Sequence, residues 1–177
     1  MKRLIATLLA LAFIAVAAAD DDEERAEVRF LDEADEYAGS AEIREGPEGV
    51  VLRVKLEGLE PGWKAIHIHE TGECHDHEEG FQASGGHLDP DEREHGLLNP
   101  EGPEAGDLPN LHVHEDGTAR AEIYAPGVSV HGDDRRPGLL PDDGTALVVH
   151  EDPDDHVSQP IGGAGGRVAC GVVRSAE

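Results

Sequence analysis

Residues 64–69 read Lys64-Ala65-Ile66-His67-Ile68-His69. Side chains alternate across a β-strand, so residues two apart share a face. A strand here turns Ile66 and Ile68 into a core and sets His67 and His69 side by side on the other face. Two neutral imidazoles held at that spacing by an apolar strand make a pair of metal ligands; an outward polar face that uses histidine is the alternative. His150 closes a second run of the same kind, Ala146-Leu147-Val148-Val149-His150.

On either side of these runs lie other short alternating or β-branched stretches, at residues 26–31, 37–44, 50–56, 118–124 and 167–173. Glycine, proline and acidic residues separate them, as in Gly58-Leu59-Glu60-Pro61-Gly62. Short strands at this spacing predict an all-β domain. No apolar stripe of helical period follows the first 19 residues, and no internal repeat is visible. Two irregular stretches, 70–116 and 151–166, interrupt the strand pattern. An unstructured stretch as long as the first is expected only where it is functional or cross-linked. It carries Cys74, His87 after Ser84-Gly85-Gly86, then His95, Glu104 and Asp107. The reading is seven or eight strands in an antiparallel Greek-key sandwich or flattened barrel, with two long loops.

The chain has 177 residues, enough for one domain. Its 14 basic residues face 39 acidic ones, a formal charge of −25. Such a surface repels phosphate backbones and anionic lipid, so nucleic-acid and membrane partners are excluded. Aromatic residues are only 3% of the chain, too few for a base-stacking platform. Lysine occurs only at Lys2, Lys55 and Lys64, the other eleven cations being arginine. An acidic, lysine-poor surface suits solubility in high salt; a GC-rich genome with an acidic solubilising face accounts for it equally well. Lys2 and Arg3, an apolar run at 4–16 and Ala17-Ala18-Ala19 have the order of a secretory signal peptide. The domain plan is therefore a signal peptide at 1–19, an acidic disordered segment at 20–26 and the folded domain at 27–177. Cleavage leaves 12 basic against 39 acidic residues, −27, and no further run long enough to span a bilayer. Export, to the periplasm or the exterior, makes Cys74 and Cys170 read as one disulfide, with two unpaired buried thiols as the alternative.

Five segments carry a family resemblance: IHIHETGEC at 66–74, ASGGHLDPDEREHG at 83–96, AGDLPNL at 105–111, LVVHEDPDD at 147–155 and GGAGGRVACGVV at 162–173. In order and spacing they resemble the signature segments of copper/zinc superoxide dismutase in its exported bacterial form, over nearly all of the mature chain. The resemblance implies an eight-stranded antiparallel Greek-key β-barrel and two cofactors, copper and zinc. It implies His67, His69, His87 and His150 as copper ligands, with His87 bridging to zinc. His95 and Asp107 correspond to zinc ligands, and Cys74 and Cys170 to the intrasubunit disulfide. Arg167 corresponds to the arginine beside copper that attracts the anionic substrate. Asp154 corresponds to the carboxylate that links copper-site and zinc-site histidines.

One position departs. The family's third zinc histidine falls where this chain has Glu104. Zinc accepts carboxylate oxygen, so Glu104 is expected to complete the site; loss of zinc is the alternative, and His112 and His114 are nearby substitutes. His75, His77, His131 and His156 match no motif position and are expected on the surface. The implied function is dismutation of superoxide, a small-molecule substrate, with a homodimer or a monomer both represented in the family. The competing reading is an exported copper-binding or copper-buffering protein of the same fold without turnover; a non-catalytic β-sandwich would not need these histidines. The loop before Arg167 holds Glu151, Asp152, Asp154 and Asp155 and no Lys or Arg, where family members commonly carry lysines that draw in superoxide.

Overall fold

A computed structural model describes residues 24–176. The signal-peptide reading, and residues 20–23 of the acidic segment, lie outside them. Strand β1 (Arg25–Asp32) opens inside the segment expected to be disordered. Arg25 and Ala26 pair with Arg44 and Ile43 of β2 (Tyr37–Gly46), and buried Ala26 faces the core. The main-chain hydrogen bonds available along β2 set this start, and the acidic composition upstream does not extend through it.

The other strands are β3 (Gly49–Leu56), β4 (Gly62–Lys64), β5 (Ile66–His69), β6 (Leu111–Val113), β7 (Ala119–Ala125), β8 (Ala146–His150) and β9 (Arg167–Ser175). Seven form one antiparallel sheet in the order β5-β8-β9-β1-β2-β3-β7, and β4 pairs with β6. The run expected as a single strand over 64–69 therefore switches sheets at Ala65. There Ala65 accepts from His150, one step further along the β5–β8 register, but donates its own N–H to Asp152 in the loop after β8, so the regular ladder ends at this residue. Counted as one bent strand, β4 and β5 bring the number to eight. β6, at 111–113, falls in the stretch read from sequence as loop; three residues, with exposed His112 at the centre, are too short to show a period.

Alternation along the strands builds the core. Val28, Phe30, Ile43, Leu52, Ile66, Ile68, Leu147 and Val149 face one enclosed cluster. A second, smaller cluster forms on the outer face of the β8–β9 pair. It joins Ala146 and Val148 to Phe81, Cys74 and Cys170, all buried or nearly so. Residues 70–86 lie over that outer face, with short 3-10 turns at His77–Glu79 and Gln82–Ser84. The Cys74–Cys170 disulfide ties this cover to β9, with Cα atoms 5.7 Å apart across 96 residues of sequence. Closing a loop of that length stabilises the fold by roughly 4–5 kcal/mol on the chain-entropy model. The disulfide reading thus holds, and the long stretch is ordered by a cross-link and an apolar anchor.

Candidate metal centre

β5 is the edge strand of the large sheet, and two loop pieces dock along its free side. Ile68 accepts the N–H of Leu88 (2.8 Å) and donates its own to Gly106 (2.9 Å), while Gly106 donates to Leu88 (2.8 Å). These bonds place His87 opposite His69 and Asp107 opposite His67. The outer face of β5 is thereby covered, and both strand histidines are buried to about 1% exposure or less. His150 reaches the same face at the end of β8, past a register shift between Val149 and His150. Pairing alone therefore gathers four imidazoles from β5, β8 and a loop.

Four ring nitrogens converge: Nδ1 of His67 and Nε2 of His69, His87 and His150. All are buried without a hydrogen-bond partner, and the four groups lie within 4.8 Å of one another. Buried polar atoms normally find partners, so four orphans aimed at one point mark a site for an electrophile. The opposite nitrogens fix the tautomers. His67 Nε2 donates to Asp154 (2.9 Å), His69 Nδ1 to the Gly85 carbonyl (3.0 Å) and His150 Nδ1 to that of Gly165 (3.4 Å). Burial lowers the His67 pKa to about 4 and that of His150 to about 3, and pushes His69 well below its ordinary value. At neutral pH these three rings are uncharged donors.

A second cluster begins at the far side of His87. Its Nδ1 lies 2.6 Å from Glu104 Oε2 and 3.6 Å from Asp107 Oδ1. His95 Nδ1 lies 3.2 Å and 2.7 Å from the same two oxygens. Here the carboxylates rule. Burial alone would lower the His87 and His95 pKa values. The hydrogen bonds of Asp107 and Glu104, joined at His95 by Asp154, outweigh burial, raising His87 and pushing His95 up to about 11. In turn Glu104, Asp107 and Asp154 fall below the usual carboxylate range, because hydrogen bonds from the histidines outweigh the burial that would raise them. Asp154 joins the clusters, taking His67 Nε2 on Oδ2 and His95 Nε2 on Oδ1 (3.1 Å).

Arg167, half-buried at the start of β9, is fixed by three acceptors of the covering loop. Its guanidinium donates to the carbonyls of Phe81 (2.6 Å) and Gly85 (2.8 Å) and to Ser84 Oγ (2.9 Å). It shares the Gly85 carbonyl with His69 Nδ1 and pairs across from His150 on β8, which places it beside the four-imidazole cluster.

The expected residues therefore assemble around two adjoining ligand sets. His112 and His114 do not join them: both are exposed on or beside β6, and His112 packs its edge on Trp63. His75 and His131 are exposed, but His77 and His156, also expected on the surface, are partly buried, His156 lying 3.4 Å from Asp154. Asn110, Gln159 and Gly162 were missed. Gly162, at φ 61°, packs so tightly that a Cβ would fall 1.6 Å from Asp154 Oδ1. Only the doubled glycine of 162–163 hints at this in the sequence.

The family described as copper/zinc superoxide dismutase (SODC) matches residues 37–173. A "Superoxide dismutase [Cu-Zn]" of Caulobacter vibrioides is 51% identical over 138 residues, 77% of this chain and 78% of that one. A second relative, "Superoxide dismutase [Cu-Zn] 2" of Aquifex aeolicus, is 39% identical over 175 residues, 98% of this chain and all of its own. Among solved structures, a SOD-like protein from Bacillus subtilis superposes with a TM-score of 0.76 at 35% identity, covering 82% of this chain and 96% of its own. Strand order, paired ligand sets and these matches agree, and the chain belongs to the copper/zinc superoxide dismutase family.

Proposed function

We propose that the protein dismutates superoxide, using copper held by His67, His69, His87 and His150 and zinc held by His87, His95, Glu104 and Asp107. The observation that carries this reading is the convergence of four buried, unpartnered ring nitrogens, one of whose rings has its other nitrogen among carboxylates. The donor types fit: neutral imidazoles suit copper, and a mixed imidazole–carboxylate set suits zinc. Copper, when bound, supplies a one-electron acceptor and donor.

The chain's own residues do the rest. Asp154, Gly85 and Gly165 hold the protons of His67, His69 and His150 on the far nitrogens, so the near ones keep their lone pairs. His87 faces one cluster with each nitrogen, so its Nε2, whenever it is not holding copper, would be placed to take up a proton and pass it to the reduced product. Arg167 offers a permanent cation whose direction is set by three loop acceptors, suited to orienting O2⁻. The disulfide and the leader-like residues 1–19 support export, and we place the protein in the periplasm or outside the cell. Its charge of −25 leaves nucleic acid no favourable approach. A homodimer accords with family membership and is read by the mass of the mature protein in solution.

The test loads the mature protein with copper and zinc, dialyses it, and measures metal content and superoxide turnover on one sample. One equivalent of each metal with fast turnover is expected. Copper without turnover overturns the enzyme reading in favour of a copper-buffering protein. Copper with turnover but no retained zinc removes Glu104 from the ligand set.

A further inference from the structure

Asp154 bonds to His67 of one set and His95 of the other, yet it sits in an irregular stretch, between β8 and β9. Two side-chain amides hold the backbone there. Asn110 Nδ2 donates to the Asp154 carbonyl (2.8 Å), and the Asp154 N–H donates to Asn110 Oδ1 (2.9 Å). One amide therefore pairs with both polar groups of one residue, as a neighbouring strand would. Gln159 repeats the arrangement on His95. The His95 N–H donates to Gln159 Oε1 (3.1 Å), and Gln159 Nε2 donates to the His95 carbonyl (2.8 Å) and to that of Val157 (3.1 Å).

We infer that Asn110 and Gln159 are positioning residues, clamping the main chain at the two ends of the Asp154–His95 hydrogen bond and so setting how both metal clusters are held. This rests on the reading of the two clusters as metal sites. Neither amide touches a ligand-cluster nitrogen or carboxylate oxygen, so each acts only through the residue it holds. The geometry also separates their effects. Asp154 bonds to His67 and His95, so loosening it through Asn110 disturbs both sets. Of the residues in the two sets Gln159 holds only His95, its other bond going to the Val157 carbonyl, so its loss disturbs the carboxylate-rich set first.

The test compares Asn110→Ala and Gln159→Ala with Val54→Ala, a buried β3 residue remote in sequence from every ligand. Two readouts are used: solvent exchange of the ring Nε2–H protons of His67 and His95 in the metal-free protein, by nitrogen-edited NMR, and affinities for zinc alone and copper alone by chelator competition. Loss of partners that orient metal ligands typically costs 10–100-fold in affinity. Asn110→Ala is expected to speed exchange at both rings and weaken both metals by about 10-fold or more. Gln159→Ala is expected to speed exchange only at His95 and weaken zinc, with copper affinity retained. Gln159 is exposed, so its variant folds even where Asn110→Ala does not. Val54→Ala is expected to lower thermal stability without either change. Unchanged ring exchange in both amide variants overturns the proposal, as does an effect on both metals that simply tracks lost thermal stability. Wild-type protein that binds no zinc overturns the metal reading of the carboxylate cluster, and ring exchange in the metal-free protein then decides the clamp by itself.

Discussion

Two groups of ligand atoms share His87, yet their chemistry is opposed. On one side burial dominates: His67 and His150 titrate near about 4 and about 3, and the rings stay neutral with lone pairs directed inward. On the other, Glu104, Asp107 and Asp154 surround His95, which keeps its charge up to about pH 11. The same buried residue type becomes a neutral donor or a cation according to how many carboxylates face it: none at His69 and His150, one at His67, and three at His95. The first set attracts a metal through nitrogen lone pairs. The second attracts positive charge outright, holding protons in the metal-free chain where it would hold a divalent ion.

The comparison breaks most visibly at Arg167, which we propose faces the substrate beside the first set and which belongs to neither cluster. Arg167→Met is expected to cut turnover by roughly 10–100-fold, within the range of electrostatic guidance, and to leave copper affinity within about two-fold. Equal losses in copper affinity and turnover would show that it supports the ligands instead. Glu104→Gln sharpens the contrast from the other side. It is expected to weaken zinc by about 10-fold while copper affinity in a zinc-free sample holds. Chelator competition on each metal decides this, and a larger loss for copper would reverse the assignment.

Acid and alkali should separate the two sets in the metal-free protein. The folded pKa values of His67, His69 and His150 lie below the unfolded value of about 6.5, so the unfolded chain binds their protons first. Stability should therefore fall by at least about 2 kcal/mol as pH drops from about 6.5 to about 4.5. The carboxylates, depressed in the folded state, contribute above their unfolded pKa and lose that contribution only at lower pH. His95, raised, contributes fully below about 6.5 and loses it as pH climbs toward about 11. Denaturant midpoints across pH should show both arms, with His95→Gln reducing the alkaline arm and, through the carboxylates it bonds, the lowest-pH part of the acid arm. The smallest effect is that of salt. With −25 on the chain and no cation at 151–166, turnover should stay flat or rise, by no more than about two-fold, between 0.1 and 1 M salt as the Debye length shrinks to about 3 Å. A steep fall in fully metallated enzyme would mean that Arg167 sets the local field despite the net charge.

Much of the fold was legible from apolar pattern: the runs at 26–31 and 50–56 alternate with period 2, 146–150 is a continuous apolar run buried on both faces, and each is a strand. The break at Ala65 was not legible, because a strand that changes sheets keeps its side-chain period while its main-chain partners change. His112 and His114 illustrate the same limit at the site. Their spacing matches that of His67 and His69, but no loop docks over β6 as 86–88 and 106 dock on β5.

From residues alone came the ligand-bearing strand, the cysteine pair, the acidic surface and a full set of candidate ligands, since residue type and local period carry those. Tertiary structure decided which face of β5 is sealed, which nitrogen of each ring stays free, that Glu104 lies against both His87 and His95, and that Asn110 and Gln159 hold the link between the clusters. These depend on hydrogen bonds between segments tens of residues apart, where loop packing and not local pattern selects the partner.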